Sequence, residues 1–301
     1  MKKTNLISML MMVAALVFYV RCEETTDETS NSVSPEITET AEDDAMADEI
    51  FEEIDAEVEA DMLALEAKGY DPGKLKSANA AEPDCVVITV AQDDSARFPK
   101  TVTFDYGDGC KYTRRGFETT KKGKVMVTIS NRMIIPGSTR TITFDDYYVN
   151  EFKVEGTRKI TNKGINSLGN LEAEITVTDG KLIFNNQYEY TRNATKTKEW
   201  VRASNALNDT VFISFSMSGN NFADQDYTRQ CDKLVVVRCE NATYRWVIVE
   251  GLVNGTVNNN PFTIDFGDGT CNNTIFVEDS VGRRAQIEVR HRAREKYRKI
   301  E

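Results

Sequence analysis

The residues best suited to chemistry are four aspartates set in two copies of one corner. These are Asp105-Tyr106-Gly107-Asp108-Gly109-Cys110 and Asp265-Phe266-Gly267-Asp268-Gly269-Thr270-Cys271. Asp105, Asp108, Asp265 and Asp268 could offer oxygens to calcium. Calcium loops place acidic or amide ligands at alternate positions and close on a glutamate. Here Gly107 and Gly267 fall where a ligand is needed, so the corner is ligand-poor and turn chemistry accounts for it. A glycosidase needs two carboxyls about 5–9 Å apart. Among 48 acidic residues no such pair stands out, and a groove beside Trp200 or Trp246 is where one would be sought. The single histidine, His291, argues against zinc sites and Ser/Cys–His catalysis, which lean on imidazole. No cofactor is expected.

The corners themselves predict structure. Each follows an alternating apolar run, Val102 and Phe104 or Phe262 and Ile264. Glycine reaches positive φ freely and aspartate bonds nearby backbone amides, so each corner reads as a strand end turning into the next strand. Cys85 and Cys110 bracket the first unit, residues 85–130; Cys239 and Cys271 bracket the second, within 239–290. Gly123-Lys124 and Gly282-Arg283 extend the likeness, which suggests a duplication. Equivalent positions favour the bridges Cys85–Cys110 and Cys239–Cys271, each contributing roughly 3–4 kcal/mol. Cys231 is then the odd thiol, or a competitor of Cys239.

Charge divides the chain. Residues 23–68 carry 18 acidic side chains and one basic, a net of −17. The first 22 residues carry +3 and the remainder +3, within a total of −11. The acidity therefore describes one N-terminal segment, and the body is close to neutral. Lys2-Lys3 followed by the apolar run Leu6–Val20 reads as an export signal over 1–22, since a membrane span needs roughly 20 apolar residues. Cys22, followed by Glu23-Glu24, resembles the acylated first residue of bacterial surface lipoproteins. An uncleaved anchor and simple secretion are the competing readings. Residues 23–42 read as a disordered acidic tether. Over 43–69, Met46, Ile50, Ile54, Val58, Met62 and Leu65 form one apolar stripe on an acidic amphipathic helix, capped by Asp43 or Asp44 and stopped by Gly69 and Pro72. That stripe suits packing on the body, or a stalk or self-associating coil. The tail at 291–301 is basic and reads as a solvated end, with the acidic helix, anionic headgroups or glycans as alternative partners; nucleic acid is not expected outside the cell.

From residue 80 to 290 the chain alternates apolar and polar residues, rich in threonine and tyrosine, without helix signals. This predicts an all-β body of antiparallel hairpins and meanders, as a two-sheet sandwich or one long curved sheet. Ile175–Phe184 reads as a hairpin turning at Asp179-Gly180.

Taken together, signal, Cys22, acidic tether, acidic helix and twin Asp-aromatic-Gly-Asp-Gly corners resemble a family of uncharacterised Bacteroidota envelope lipoproteins. The segments Phe144–Asn150 and Val154–Arg158 have similar counterparts there. The resemblance implies an exported, lipid-anchored protein at the outer membrane or cell surface, and no particular chemistry. Ile264–Thr270 is also similar to the motif of polycystin-type Ig-like repeats, which mediate adhesion and polysaccharide contact. Asp94-Ser95-Ala96, Asp209-Thr210-Val211 and Asp279-Ser280-Val281 are similar to the Bacteroidota O-glycosylation motif. The expected function is a non-enzymatic envelope lipoprotein that binds or scaffolds, with a surface glycan or envelope protein as partner. The alternative is a polysaccharide-active enzyme, or a carbohydrate- or calcium-binding module using Asp/Glu.

Overall fold

The computed structural model describes residues 32–71, 85–92, 97–114, 117–239, 245–272 and 274–288. The expected export signal, Cys22, residues 23–31 of the tether, Asp94-Ser95-Ala96 and the basic tail with His291 lie outside the described residues.

A single helix, α1, runs from Pro35 to Ala67. It starts eight residues before the expected Asp43, because Ser34-Pro35 is itself a start signal. The Ser34 hydroxyl accepts the Ile37 amide at 3.4 Å, and proline suits the first helical position. Residues 35–42 are therefore helix and not tether. Asp43 and Asp44 are buried within α1 instead of capping it. The apolar stripe extends backwards through Ala41, Ile37 and Val33, all buried. Gly69 follows the last turn with a φ of 69°, as expected of a stop.

The body is one antiparallel sheet of fourteen strands. They are β1 (Val87–Gln92), β2 (Lys100–Asp105), β3 (Cys110–Arg114), β4 (Phe117–Ile129), β5 (Thr139–Val149), β6 (Phe152–Ile165) and β7 (Leu171–Phe184). There follow β8 (Tyr188–Val201), β9 (Thr210–Asn220), β10 (Asp226–Cys239), β11 (Arg245–Val257), β12 (Asn260–Asp268), β13 (Thr274–Asp279) and β14 (Arg284–Glu288). Strands pair in chain order, except that β2 and β3 share one side of β4. β1 and β14 end the sheet without pairing to each other, so it is a long open sheet and neither a sandwich nor a barrel. A short 3₁₀ turn at Ala206–Asn208 is the remaining helical element among the described residues.

α1 crosses the strands. Val33, just ahead of it, and Ile37 and Ala41 of its first turns pack with Leu234, Val253, Phe262 and Ile264, towards the β14 end. Its later turns pack Met46, Phe51, Ile54, Met62 and Leu65 on Val102, Phe104, Val127, Ile142 and Leu182, towards the β1 end. The 33 residues of α1 give a helix of about 50 Å, comparable with the twelve strand spacings of about 4.8 Å each between β1 and β14. One helix thus serves the whole sheet. Phe51, Ile54 and Leu65 are at most 2% exposed. Each such burial contributes about 1.5–3 kcal/mol.

The sheet curls around α1 along a row of irregular pairings. Asp179-Gly180, the expected hairpin turn, is a bulge within the unbroken strand β7. Asp179 has a φ of 50°, and the register slips there against both β6 and β8. The extra residue moves the inward positions from Ala173, Ile175 and Val177 to Leu182 and Phe184. The alternation that looked like two strands is one strand changing parity. Neighbouring strands carry matching glycines. A Cβ on Gly123 would lie 2.0 Å from the Asp146 carbonyl oxygen, and one on Gly219 would lie 1.9 Å from that of Thr191. Gly156 and Gly251 meet the carbonyl oxygens of Asp179 and Lys233 in the same way. Bulges bend strands, and glycine lets a neighbouring backbone close into the bend.

Both disulfides are present. Cys85–Cys110 and Cys239–Cys271 have Cα separations of 5.6 and 5.8 Å. Cys85, two residues ahead of β1, and Cys239, the last residue of β10, are each joined to the cysteine that follows a corner. The wider likeness stops there. Gly123-Lys124 lies in β4, paired directly to β2, whereas Gly282-Arg283 lies in the β13–β14 connection, one strand further from β12. Cys231 is free and buried, and burial pushes its thiol pKa up. Alkylation of oxidised protein should therefore mark none of the five body cysteines in the native state and Cys231 alone after unfolding, read by peptide mass mapping. Labelling of Cys85 or Cys271 without reductant would contradict the bridges. Disulfides of this kind point to an oxidising environment. Among the described residues, no helix is long and apolar enough to cross a membrane.

Candidate functional site

The four corner aspartates are not brought together. Asp105 ends β2 and Asp265 lies on β12, near opposite ends of the sheet. Each uses its Oδ1 to accept the amide two residues on, Gly107 or Gly267, at 2.9 Å. Asp105 also faces Lys124 at 3.6 Å, and Asp265 faces Arg284 at 2.8 Å. Asp268 accepts the Thr270 hydroxyl at 2.9 Å and its amide at 3.2 Å, which lowers its carboxyl pKa. Asp108 is exposed. These are the bonds of tight turns. Among the described residues no cluster of three or more His, Cys, Asp or Glu is placed to hold a metal. Asp279, of the third glycosylation-like triplet, accepts the amides of Val281 and Arg283 at 3.1 and 3.0 Å.

The densest chemistry lies between α1 and the inner face of the sheet. Asp44, with a side chain 1% exposed, accepts the Tyr190 hydroxyl at 2.6 Å and the Arg192 guanidinium at 2.7 Å, and pairs with Arg229. Arg192 also donates to Asp48 at 2.6 Å and to the Tyr190 hydroxyl at 2.7 Å. Tyr227 donates to Tyr190. Burial pushes the Tyr190 phenol well above its ordinary value. Burial works against charge on Arg192, but Asp48 and the two tyrosines outweigh it and drive its pKa up. Further along α1, Glu52 binds Lys196 and Lys198 at 2.7 and 2.8 Å, Asp55 binds Arg158 and Glu57 binds Lys121. Near its end Glu66 meets Arg132 at 2.6 Å. The guanidinium carbons of Arg158 and Arg192 stand 5.4 and 5.5 Å from the Phe51 ring centre, within cation–π range.

Sequence reasoning placed the acids of α1 off its apolar stripe and missed their partners. The signal was present in the strands. Arg192 follows Tyr190 by two residues, Arg229 follows Tyr227, and Arg158 and Arg140 precede Ile160 and Ile142, so these bases share the inward parity. A cation at an inward strand position requires a buried anion, and the −17 segment was its obvious source.

Acid should loosen this seam at Glu52. Burial raises its carboxyl pKa, but Lys196, Lys198 and Arg158 overcome that and hold it well below 4.5. A depressed folded-state pKa contributes stability above the unfolded value, and that stability is lost as pH falls through the folded one. Urea midpoints of the native protein and of Glu52→Gln should therefore differ at pH 6 and converge as pH drops below about 4.5. The side chain is 38% exposed, so solvent screening keeps the effect modest. A constant gap between the two across that range would contradict the assignment.

Of the two tryptophans, Trp246 is 36% exposed with Arg238 over its ring. Trp200 lines a cavity together with Asp55, Glu59, Glu66 and Glu172. Two of those carboxylates, Asp55 and Glu66, are already bound to Arg158 and Arg132. The protein defined by this fold and site is an all-β protein whose open sheet is curled around one acidic helix and sealed by two disulfides. The chain matches no protein family, no curated protein and no solved structure.

Proposed function

We propose that the chain is a non-enzymatic cell-envelope lipoprotein, anchored in the outer membrane or cell surface through a lipid on Cys22 and acting by binding or scaffolding. The observation that carries this reading is the use made of the carboxylates. Those of α1 pair with Arg158, Arg192, Lys196, Lys198 and Arg229 of the sheet, and Asp105, Asp265 and Asp268 of the corners hold turns. Groups so committed build a rigid body and are poorly placed for proton transfer. The disulfides suit an exported body, and the resemblance to Bacteroidota lipoproteins supplies the anchor. Intact-mass analysis and detergent partition test it. The native protein should carry acyl chains on Cys22 and enter the detergent phase, and Cys22→Ala should stay aqueous. An unacylated native protein found in the aqueous phase would overturn the anchor.

A second reading, a surface glycan as partner, is favoured by a groove of about 360 Å³ on β10–β13 lined by Thr228, Gln230, Asn254, Thr256, Thr263 and Glu278. Such hydroxyl and amide groups suit sugar hydroxyls. Retardation in polysaccharide affinity gels, abolished by Asn254→Ala, is the expected result. Equal retardation of native and variant protein would dismiss this groove.

A further inference from the structure

A second cavity, of about 140 Å³, lies between the C-terminal part of α1 and strands β4–β8. Its apolar wall is built by Met62, Ile129, Met133, Ile160, Ile175 and Trp200. Leu63, 58% exposed, and Glu59, also exposed, line it as well and mark its opening. Arg140 of β5 lines the same cavity and is only 6% exposed. The other inward arginines, Arg158, Arg192 and Arg229, each hold a carboxylate of α1. No carboxylate among the described residues lies within ion-pair distance of Arg140, and its Nε, like those of Arg158 and Arg229, is buried without a hydrogen-bond partner. A buried guanidinium without an anion is strongly disfavoured. Its planar fork matches a carboxylate.

A second feature converges on the same place. Tyr70, which also lines the cavity, has a φ of 61°. That conformation is uncommon for an aromatic residue and gathers at functional sites. The ring is wedged edge-on against Phe98, with centres 6.0 Å apart. Burial and Glu66 push the Tyr70 phenol up to about 12, while Arg132 and Arg140 pull the other way, so Arg140 and the phenol sense each other. A neutral phenol keeps its proton and can donate a hydrogen bond into the cavity that both residues line.

We infer that this cavity binds a small monocarboxylic acid with an apolar body, its carboxylate on Arg140 and its hydrocarbon against Trp200 and Met62. The cavity is close in size to one of about 150 Å³ that takes up benzene, so an acid of roughly six to eight carbons fits. A single negative charge is selected because Glu59 and Glu172, neither of them ion-paired, also line the space and repel a dianion. The inference deepens the reading of the chain as a binding protein and rests on it.

Trp200 supplies the probe. In full-length Trp246→Phe, fluorescence should change saturably with hexanoate or phenylacetate. Hexanamide, of the same shape without the charge, should bind at least about tenfold more weakly, as expected for loss of a charge-assisted pair. Arg140→Met should lose the same factor and Arg140→Lys part of it. Failure of hexanoate and phenylacetate to bind the folded protein would overturn the proposal, as would equal binding of hexanamide. The amide comparison decides on native sequence at this site, even if Arg140→Met does not fold. Chromatography of the acid after incubation separates the two readings: unchanged acid supports a binder, whereas conversion would remove the non-enzymatic reading and leave the site standing.

Discussion

Asp44→Ala is expected to destabilise the protein by about 3–5 kcal/mol, seen as a large drop in urea midpoint. Asp44 is the anion on which Arg192, Arg229 and Tyr190 converge. Removing it leaves Arg229, with a side chain 5% exposed, facing only Asp48 at 3.7 Å. Breaking one side of a buried pair is far worse than removing both, because the surviving charge has no water to return to. The triple change Asp44→Leu, Arg192→Met, Arg229→Met should therefore recover most of the loss. Asp48, at 33% exposure, keeps access to solvent when its partners go. A loss below about 1 kcal/mol for Asp44→Ala would mean that the seam contributes no more than exposed pairs do.

Gly219→Ala should be at least as damaging, by about 4 kcal/mol or more, a size reached only when a packed region cannot yield. The added Cβ would sit 1.9 Å from the Thr191 carbonyl oxygen and 2.6 Å from its carbon. Both are backbone atoms of β8, so no side-chain rotation relieves the overlap. β8 must move, and it carries Tyr190, Arg192, Lys196 and Lys198, the bases and phenol that α1 needs. The clash thus reaches the charge seam through the strand. Gly137→Ala is the control. It has a φ of 82° with nothing within 4 Å of the new atom, so only backbone strain of about 1–2 kcal/mol applies. Equal effects of the two substitutions would remove the close approach as the reason for glycine at 219.

These two sites show why part of the molecule was legible and part was not. The corners, the bridges, the all-β body and the helix stop rest on neighbours in sequence, or on residue types with one dominant use. Cys85 and Cys110 could be paired because the second unit repeats their placement. The helix start was misplaced because Ser34-Pro35 looked like part of a polar tether, and the buried Val33 and Ile37 that anchor it meet partners more than 190 residues away. Asp179-Gly180 carries the residues of a tight turn. Whether it turns or bulges depends on β6 and β8 continuing past it, which a local reading does not contain.

The amino-acid sequence by itself determined the alternation of the strands, the acidity of α1, the bonding within each corner and the glycines that allow a crease. Only the tertiary structure decided that the strands form one open sheet, that it curls about α1, and that the acids of α1 lie on inward arginines and lysines while Arg140 is left over. The physical reason is range. Turn bonds and side-chain parity are set within a few residues, whereas a buried charge is satisfied only by whatever the closed fold brings against it.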